Sequence, residues 1–199
     1  MKKLIFASKN PGKIKEFRAF LAPKGIEVLS LLDLSDVPEI IENGTTFEEN
    51  SLIKAQTIMD AYQLPVVAED AGLVVEALNG EPGIYSARYA GDHDDAANNE
   101  KLLKNMQNVP DDERQAKFVA VIVALKPNGA KLVTSGEVTG EILREPQGND
   151  GFGYDPLFYY PPYDKTLAEL SVAEKNEISH RGQALDRFAE DFNAWWEEV

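Results

Sequence analysis

Apolar positions recur along the chain with two periods, and the switches between them predict alternating strands and helices. Leu4-Ile5-Phe6-Ala7 is a continuous apolar run, the pattern of a short buried strand. Asn10 and Pro11 follow as a helix cap and a favoured first helical residue, and Ile14, Phe17, Phe20 and Leu21 then repeat at helical spacing. The segment reads as a strand, a tight turn and a helix. Thr46 and Glu49 have the spacing of a capping box ahead of Leu52, Ala55, Ile58, Met59 and Tyr62, so a second helix is expected to begin near Thr46.

Pro65-Val66-Val67-Ala68 predicts a compact strand that runs into Glu69-Asp70 and leaves both carboxylates at its end, before glycines and Pro82 between Gly72 and Gly91 that signal turns. Residues 96–106 read as a helix and 118–125 as a long apolar strand. Residues 132–135 and 138–143 read as two strands around a turn at Gly136. Leu185, Phe188, Ala189, Phe192, Trp195 and Trp196 share one face of a C-terminal helix, expected to pack on the sheet. Adjacent strands among separated helices indicate a mixed α/β sheet.

A chain of 199 residues, 43% of them hydrophobic, can bury a proper core, and one domain spanning 1–199 or two closely joined lobes is expected. With 20 basic and 34 acidic residues the net charge is -14, which repels phosphate backbones and argues against nucleic acid as a partner. The apolar run after Met1-Lys2-Lys3 is too short for a signal peptide, and nothing approaches the roughly 18 apolar residues of a membrane span. No membrane association and a cytoplasmic address are therefore expected. Without cysteine there is no disulfide or thiolate site, and His93 and His180 alone cannot build a multi-histidine zinc centre.

Several segments could carry chemistry. Ser8-Lys9-Asn10-Pro11-Gly12-Lys13 joins the first strand to the first helix, where unpaired amides and the positive helix end favour an anion. It is not a Walker loop, because Ile14 follows Lys13 and the upstream glycine is missing. Glu69-Asp70 suits Mg²⁺, which takes a few carboxylates and completes its shell with water and phosphate oxygens. Gly148-Asn149-Asp150-Gly151-Phe152-Gly153-Tyr154-Asp155-Pro156 sets aromatic rings among glycines, as a loop wrapping a flat ring would. Lys175, His180 and Arg181 gather just ahead of the final helix as donors for a phosphate or a base edge. Asp92-His93-Asp94-Asp95 reads as helix-start acidity rather than a metal cluster.

Taken together, Ser8 to Lys13, Thr46-Phe47-Glu48-Glu49-Asn50-Ser51-Leu52-Ile53-Lys54-Ala55, Ala68-Glu69-Asp70-Ala71-Gly72-Leu73, Pro82-Gly83-Ile84-Tyr85-Ser86-Ala87-Arg88-Tyr89, Phe152-Gly153-Tyr154-Asp155 and Ser179-His180-Arg181 resemble the Ham1-like inosine triphosphate pyrophosphatase family. The blocks run in the family's order over nearly the whole chain. The resemblance implies a long, curved, mixed β-sheet with surrounding helices, two lobes flanking an active-site cleft, and a homodimer. It implies Mg²⁺-dependent hydrolysis of ITP, dITP and XTP to the monophosphate and pyrophosphate, by water attack on the α phosphorus.

By position, the resemblance makes Asp70 the catalytic carboxylate and a metal ligand, and Glu42 the second metal ligand. Glu69 supports them. Ser8, Asn10 and Lys13 become triphosphate contacts, with Lys9, Pro11 and Gly12 completing their loop, and Lys54 reaches the same phosphates. Phe152, Gly153, Tyr154, Asp155, Lys175, His180 and Arg181 become the base and sugar pocket. Convergence of Lys9, Lys13, Lys54, Lys175 and Arg181 would reconcile an anionic substrate with the net charge. Glu69 stands where many relatives carry Asp, and Ala71, beside the catalytic position, replaces a common Ser and offers substrate only its backbone. A pyrimidine-selective enzyme and a nucleotide-sensing module that does not cut are the competing readings.

Overall fold

The computed structural model describes residues 2–92 and 94–197. Its strands form one seven-stranded sheet in the order β2-β1-β3-β4-β5-β6-β7: β1 Lys2–Phe6, β2 Ile26–Ser30, β3 Val66–Val75, β4 Gln115–Leu125, β5 Lys131–Ile142, β6 Phe158–Tyr160 and β7 Lys165–Thr166. The helices are α1 Pro11–Leu21, α2 Phe47–Tyr62, α3 Asp95–Asn105, α4 Val172–Ile178 and α5 His180–Glu197. β1 runs parallel to β2 and β3, while β5, β6 and β7 pair antiparallel, so the sheet is mixed, as the pattern predicts. The chain forms two compact units. The first takes the chain up to Asp70, Val121–Thr134 and the chain from Leu185 on; the second takes Ala71–Ala120 and Ser135–Ala184.

In the first unit Leu4, Ile5 and Phe6 are fully buried, the covering on both faces that a parallel strand requires. Asn10 Oδ1 accepts from the Lys13 amide at 3.1 Å and Pro11 opens α1, so the cap read from the sequence is present. The helix buries Ile14, Phe17 and Leu21, and Phe17 stacks on Phe6 with ring centroids 4.1 Å apart. Phe188 and Phe192 of α5 pack on Phe17 and Phe20 of α1, with centroids 5.9 to 6.1 Å apart. Each such ring contributes roughly 1.5–3 kcal/mol on burial. Thr46 caps α2 through the Glu49 amide, but Glu49 reaches back to Thr45, bonding its amide at 2.6 Å and its hydroxyl at 2.7 Å; the capping box closes one residue early.

The second unit has its own core, built from Leu73, Val75, Tyr89, Leu102, Met106, Phe118, Ile142, Tyr154, Leu157 and Phe158. Residues 132–142 hold a correction: they lie in one strand, β5, not in two strands around a turn, and Leu143 follows it. Burial alternates along it from Thr134 to Ile142, and Gly136 lies on the covered face. A side chain at Gly136 would collide with the His180 carbonyl oxygen and stand 2.7 Å from the Ala184 amide, so the glycine serves close helix approach rather than a bend. Gly136→Ala is expected to lower unfolding free energy by roughly 1–3 kcal/mol, measured by urea denaturation; an unchanged midpoint would refute the tight approach.

β3 is also longer than predicted. It continues through Gly72 to Val75, which puts Glu69 and Asp70 in mid-strand and not at its end. The Leu73 amide donates to Ser86 Oγ at 2.8 Å, so a residue of the following 3-10 segment, Gly83–Arg88, secures the continuation. Among the described residues no helix is long and apolar enough to cross a membrane.

Candidate active site

In the first unit, β3 and helices α1 and α2 assemble a set of charged groups. Successive residues on a strand point to opposite faces, and Glu69 and Asp70 accordingly take different partners. Glu69, its side chain only 2% exposed, meets Lys13 Nζ at 2.8 Å. Asp70 Oδ1 accepts from Lys54 Nζ at 3.1 Å, and the same ammonium lies 3.0 Å from Glu42 Oε2. Lys54, expected on the phosphates, thus bridges the two expected metal ligands. Burial is the main force raising the Asp70 carboxyl above the usual carboxylate range; Lys54 opposes it, the Glu42 charge adds to it, and Asn50 lowers it a little.

The loop before α1 is pinned from within. Ser8 Oγ accepts from the Asn10 amide at 3.1 Å, and Asn10 Oδ1 is occupied as the cap. No acidic side chain occupies the first turn of α1, so its positive end remains available to an anion beside Ser8 and Lys9. Pro11 and Gly12 occupy that first turn.

Among the described residues no group of three or more Asp, Glu, His or Cys side chains could hold a metal. Glu42 and Asp70 nonetheless suit Mg²⁺, whose shell needs only one or two carboxylates when phosphate oxygens and water supply the rest. Asp70 Oδ2 is buried without a hydrogen-bond partner, an acceptor that a cation would satisfy.

In the second unit the glycine-rich loop is organised around Asp155. Gly151 and Gly153 adopt positive φ of 84° and 61°, and a side chain at Gly151 would press on Asp155. Asp155 Oδ2 accepts from the Phe152 amide at 2.9 Å and from Lys175 Nζ at 2.5 Å, and that ammonium stands 4.6 Å from the centre of the Phe152 ring. Phe152 is 71% exposed. Tyr154 is buried and its hydroxyl donates to the Ser86 carbonyl at 2.8 Å, so of the two loop rings only that of Phe152 offers a face.

Lys175 lies in α4, and His180 and Arg181 open α5, so these residues sit in helices and not in a loop ahead of one. Ser179 Oγ accepts from the Gly182 amide at 3.0 Å at the start of α5. His180 stacks on Phe118 with centroids 5.0 Å apart and planes 14° apart. Lys13 and Lys54 meet acidic partners in the first unit, and Lys175 meets Asp155 in the second.

Three supporting residues escaped the sequence reading. Asp95 accepts from the Gly153 amide at 2.7 Å, and Asn99 donates to the Gly153 carbonyl at 2.8 Å, so α3 fixes the middle of the glycine loop. Asp94 caps α3 at the Ala97 amide, in line with the helix-start reading of its acidic neighbourhood; His93 lies outside the described residues. Asn50 is fully buried on α2, and its Oδ1 accepts from the Gly44 amide at 2.9 Å. A polar side chain on a buried helical face was the available signal.

The protein is of the α/β class, with a mixed sheet in which an interior strand, β3, sets two carboxylates against lysines from two helices, and with an exposed ring on a glycine loop. The chain belongs to the Ham1 family, whose model matches residues 4–191. It is 55% identical to the dITP/XTP pyrophosphatase of Lactiplantibacillus plantarum over 97% of this chain and 96% of that one. It is 50% identical to the dITP/XTP pyrophosphatase of Leuconostoc mesenteroides over 97% of this chain and 98% of that one. The Ham1 protein of Staphylococcus aureus superposes with a TM-score of 0.91 at 43% identity, covering 97% of this chain and 99% of that one.

Proposed function

We propose that this chain hydrolyses non-canonical purine nucleoside triphosphates, dITP, ITP and XTP, to the nucleoside monophosphate and pyrophosphate, and so cleanses the nucleotide pool. Support comes from full-length similarity to dITP/XTP pyrophosphatases at about half identity. The observation that carries the mechanism is the pairing of Glu42 and Asp70 around Lys54.

In this reading Ser8 to Lys13 and Lys54 serve the polyphosphate end of the substrate. Ser8, Lys9, Asn10, Gly12 and Lys13 receive phosphate oxygens, with Pro11 shaping the turn, and Lys54 moves its charge from the carboxylates toward the phosphates. Glu42 and Asp70 would hold Mg²⁺, which would supply positive charge to the phosphates. Asp70 accepts a proton from the water that attacks the α phosphorus; the new bond joins that oxygen to phosphorus, and the bond to the β-phosphate oxygen breaks as pyrophosphate leaves. Ala71 contributes backbone only.

The glycine loop, α4 and the start of α5 serve the base end. Phe152 stacks on the base, Gly153, Tyr154 and Asp155 hold that ring in place, and Lys175, His180 and Arg181 donate to the keto group of hypoxanthine or xanthine. Adenine carries an amino donor at that edge and would leave those donors unpaired. The enzyme is proposed to act as a homodimer in the cytoplasm.

The test is a comparison of kcat/KM for ITP, XTP, dUTP and ATP: turnover concentrated in ITP and XTP supports the assignment, and a preference for dUTP or ATP overturns it. Phe152→Ala is expected to raise KM for XTP about tenfold, the value of one stacked base, with little change in kcat. Its melting temperature should stay unchanged, since the ring is exposed; an unaltered KM would remove Phe152 from the site.

A further inference from the structure

We propose that Asn50 is a positioning residue that ties the two proposed metal-binding carboxylates together, its Oδ1 holding the Glu42 loop and its unmatched Nδ2 being the donor available to the unmatched Asp70 Oδ2. The inference rests on the metal assignment above but concerns a side chain that reading does not use. Asn50 lies one helical turn before Lys54 on α2, and residues four apart share a helix face. That face meets Asp70, because Lys54 donates to Asp70 Oδ1.

The orientation of the amide follows from its known bond. The Gly44 amide is a donor, so the atom 2.9 Å from it is the Asn50 oxygen, and Nδ2 must point the other way. Nδ2 of Asn50 and Oδ2 of Asp70 are both buried, and neither has a hydrogen-bond partner: an unmatched donor and an unmatched acceptor.

The other arm is as constrained. A side chain at Gly44 would stand 2.7 Å from Asn50 Oδ1, so the loop two residues beyond Glu42 is seated directly on this amide. A carboxylate oxygen has two lone pairs and can take an amide proton and a cation together. Groups that orient ligating carboxylates in this way commonly change metal affinity about 10–100-fold when removed.

The test measures Mn²⁺ binding to the nucleotide-free protein by electron paramagnetic resonance, together with the Mg²⁺ midpoint, kcat and KM for XTP, and melting in EDTA. For Asn50→Ala the expected result is Mn²⁺ affinity weakened about 10–100-fold, a Mg²⁺ midpoint raised in step, and lower kcat with KM for XTP nearly unchanged. A fall in melting temperature with wild-type Mn²⁺ affinity and Mg²⁺ midpoint would overturn the proposal and leave Asn50 a loop anchor. If the variant does not fold, the wild-type protein decides the matter by NMR. The side-chain amide identified by its contact to the Gly44 amide should show one proton protected from exchange, losing that protection in Asp70→Ala; fast exchange in both would overturn it. Failure of the wild type to release pyrophosphate would remove the functional reading, while the Mn²⁺ and NMR arms, which use no nucleotide, would still decide the role of Asn50.

Discussion

Asp70→Asn is expected to lower pyrophosphate release from XTP by about three orders of magnitude while raising the melting temperature of the metal-free protein. The two effects have one cause. Burial holds the Asp70 carboxyl above its ordinary range, so the folded protein binds this proton more readily than the unfolded chain does. Below the unfolded value, about pH 4, both states are protonated and the group contributes nothing. As pH rises through the folded value the carboxylate ionises in a place that disfavours it, and stability falls. The neutral amide escapes that loss, and Lys54 keeps Glu42 as a partner at 3.0 Å. Scanning calorimetry in EDTA should show the variant melting above the wild type at neutral pH, with the gap closing toward about pH 4. A variant that melts at or below the wild type at pH 7 would contradict the account.

Lys54→Met should have the largest effect on stability. It leaves Glu42 and Asp70 without the ammonium that both contact. Removing one partner of a buried ion pair costs about 3–5 kcal/mol. The side chains of Lys54, Asp70 and Glu42 are 12%, 15% and 30% exposed, so the loss should fall near the lower end of that range. Millimolar Mg²⁺ should then stabilise the variant more than it stabilises the wild type, because a cation replaces the missing charge. Urea titrations with and without Mg²⁺ check both parts; a variant insensitive to Mg²⁺ would argue against Glu42 and Asp70 as its ligands.

What the sequence revealed about the fold was what is decided locally. Asn10, Pro11 and the stripe Ile14, Phe17 and Leu21 lie within one helix, and their spacing alone gives α1. The length of β3 was hidden because its continuation depends on Ser86, thirteen residues away, accepting from Leu73. Gly136 looked like a turn for a related reason: the need for glycine comes from the backbone of α5, which spacing cannot display. Ser171 and Glu174 have the spacing of a capping box for α4, a signal for the helical setting of Lys175 that the sequence reading did not use.

The site divides in the same way. Ser8–Lys13 was readable as the approach to a helix start, whereas Glu69-Asp70, read as a strand end, stands in mid-strand. Family resemblance named Glu42, Asp70 and Lys54 but put Lys54 on the phosphates; its bridge between the two carboxylates joins segments that no local pattern connects. Phe152 and Tyr154 are both rings in one glycine loop. The Ser86 carbonyl accepts from buried Tyr154, while Phe152 is left exposed, a difference that residue type does not display.

The most direct test of the central claim is hydrolysis of XTP and dITP by the wild-type protein with Mg²⁺ in ¹⁸O-labelled water, measuring pyrophosphate and orthophosphate separately and locating the label. Water attack on the α phosphorus predicts equal amounts of monophosphate and pyrophosphate, with ¹⁸O in the monophosphate. Label in pyrophosphate, release of orthophosphate instead, or tight binding without any product would contradict it, the last of these in favour of a nucleotide-sensing module.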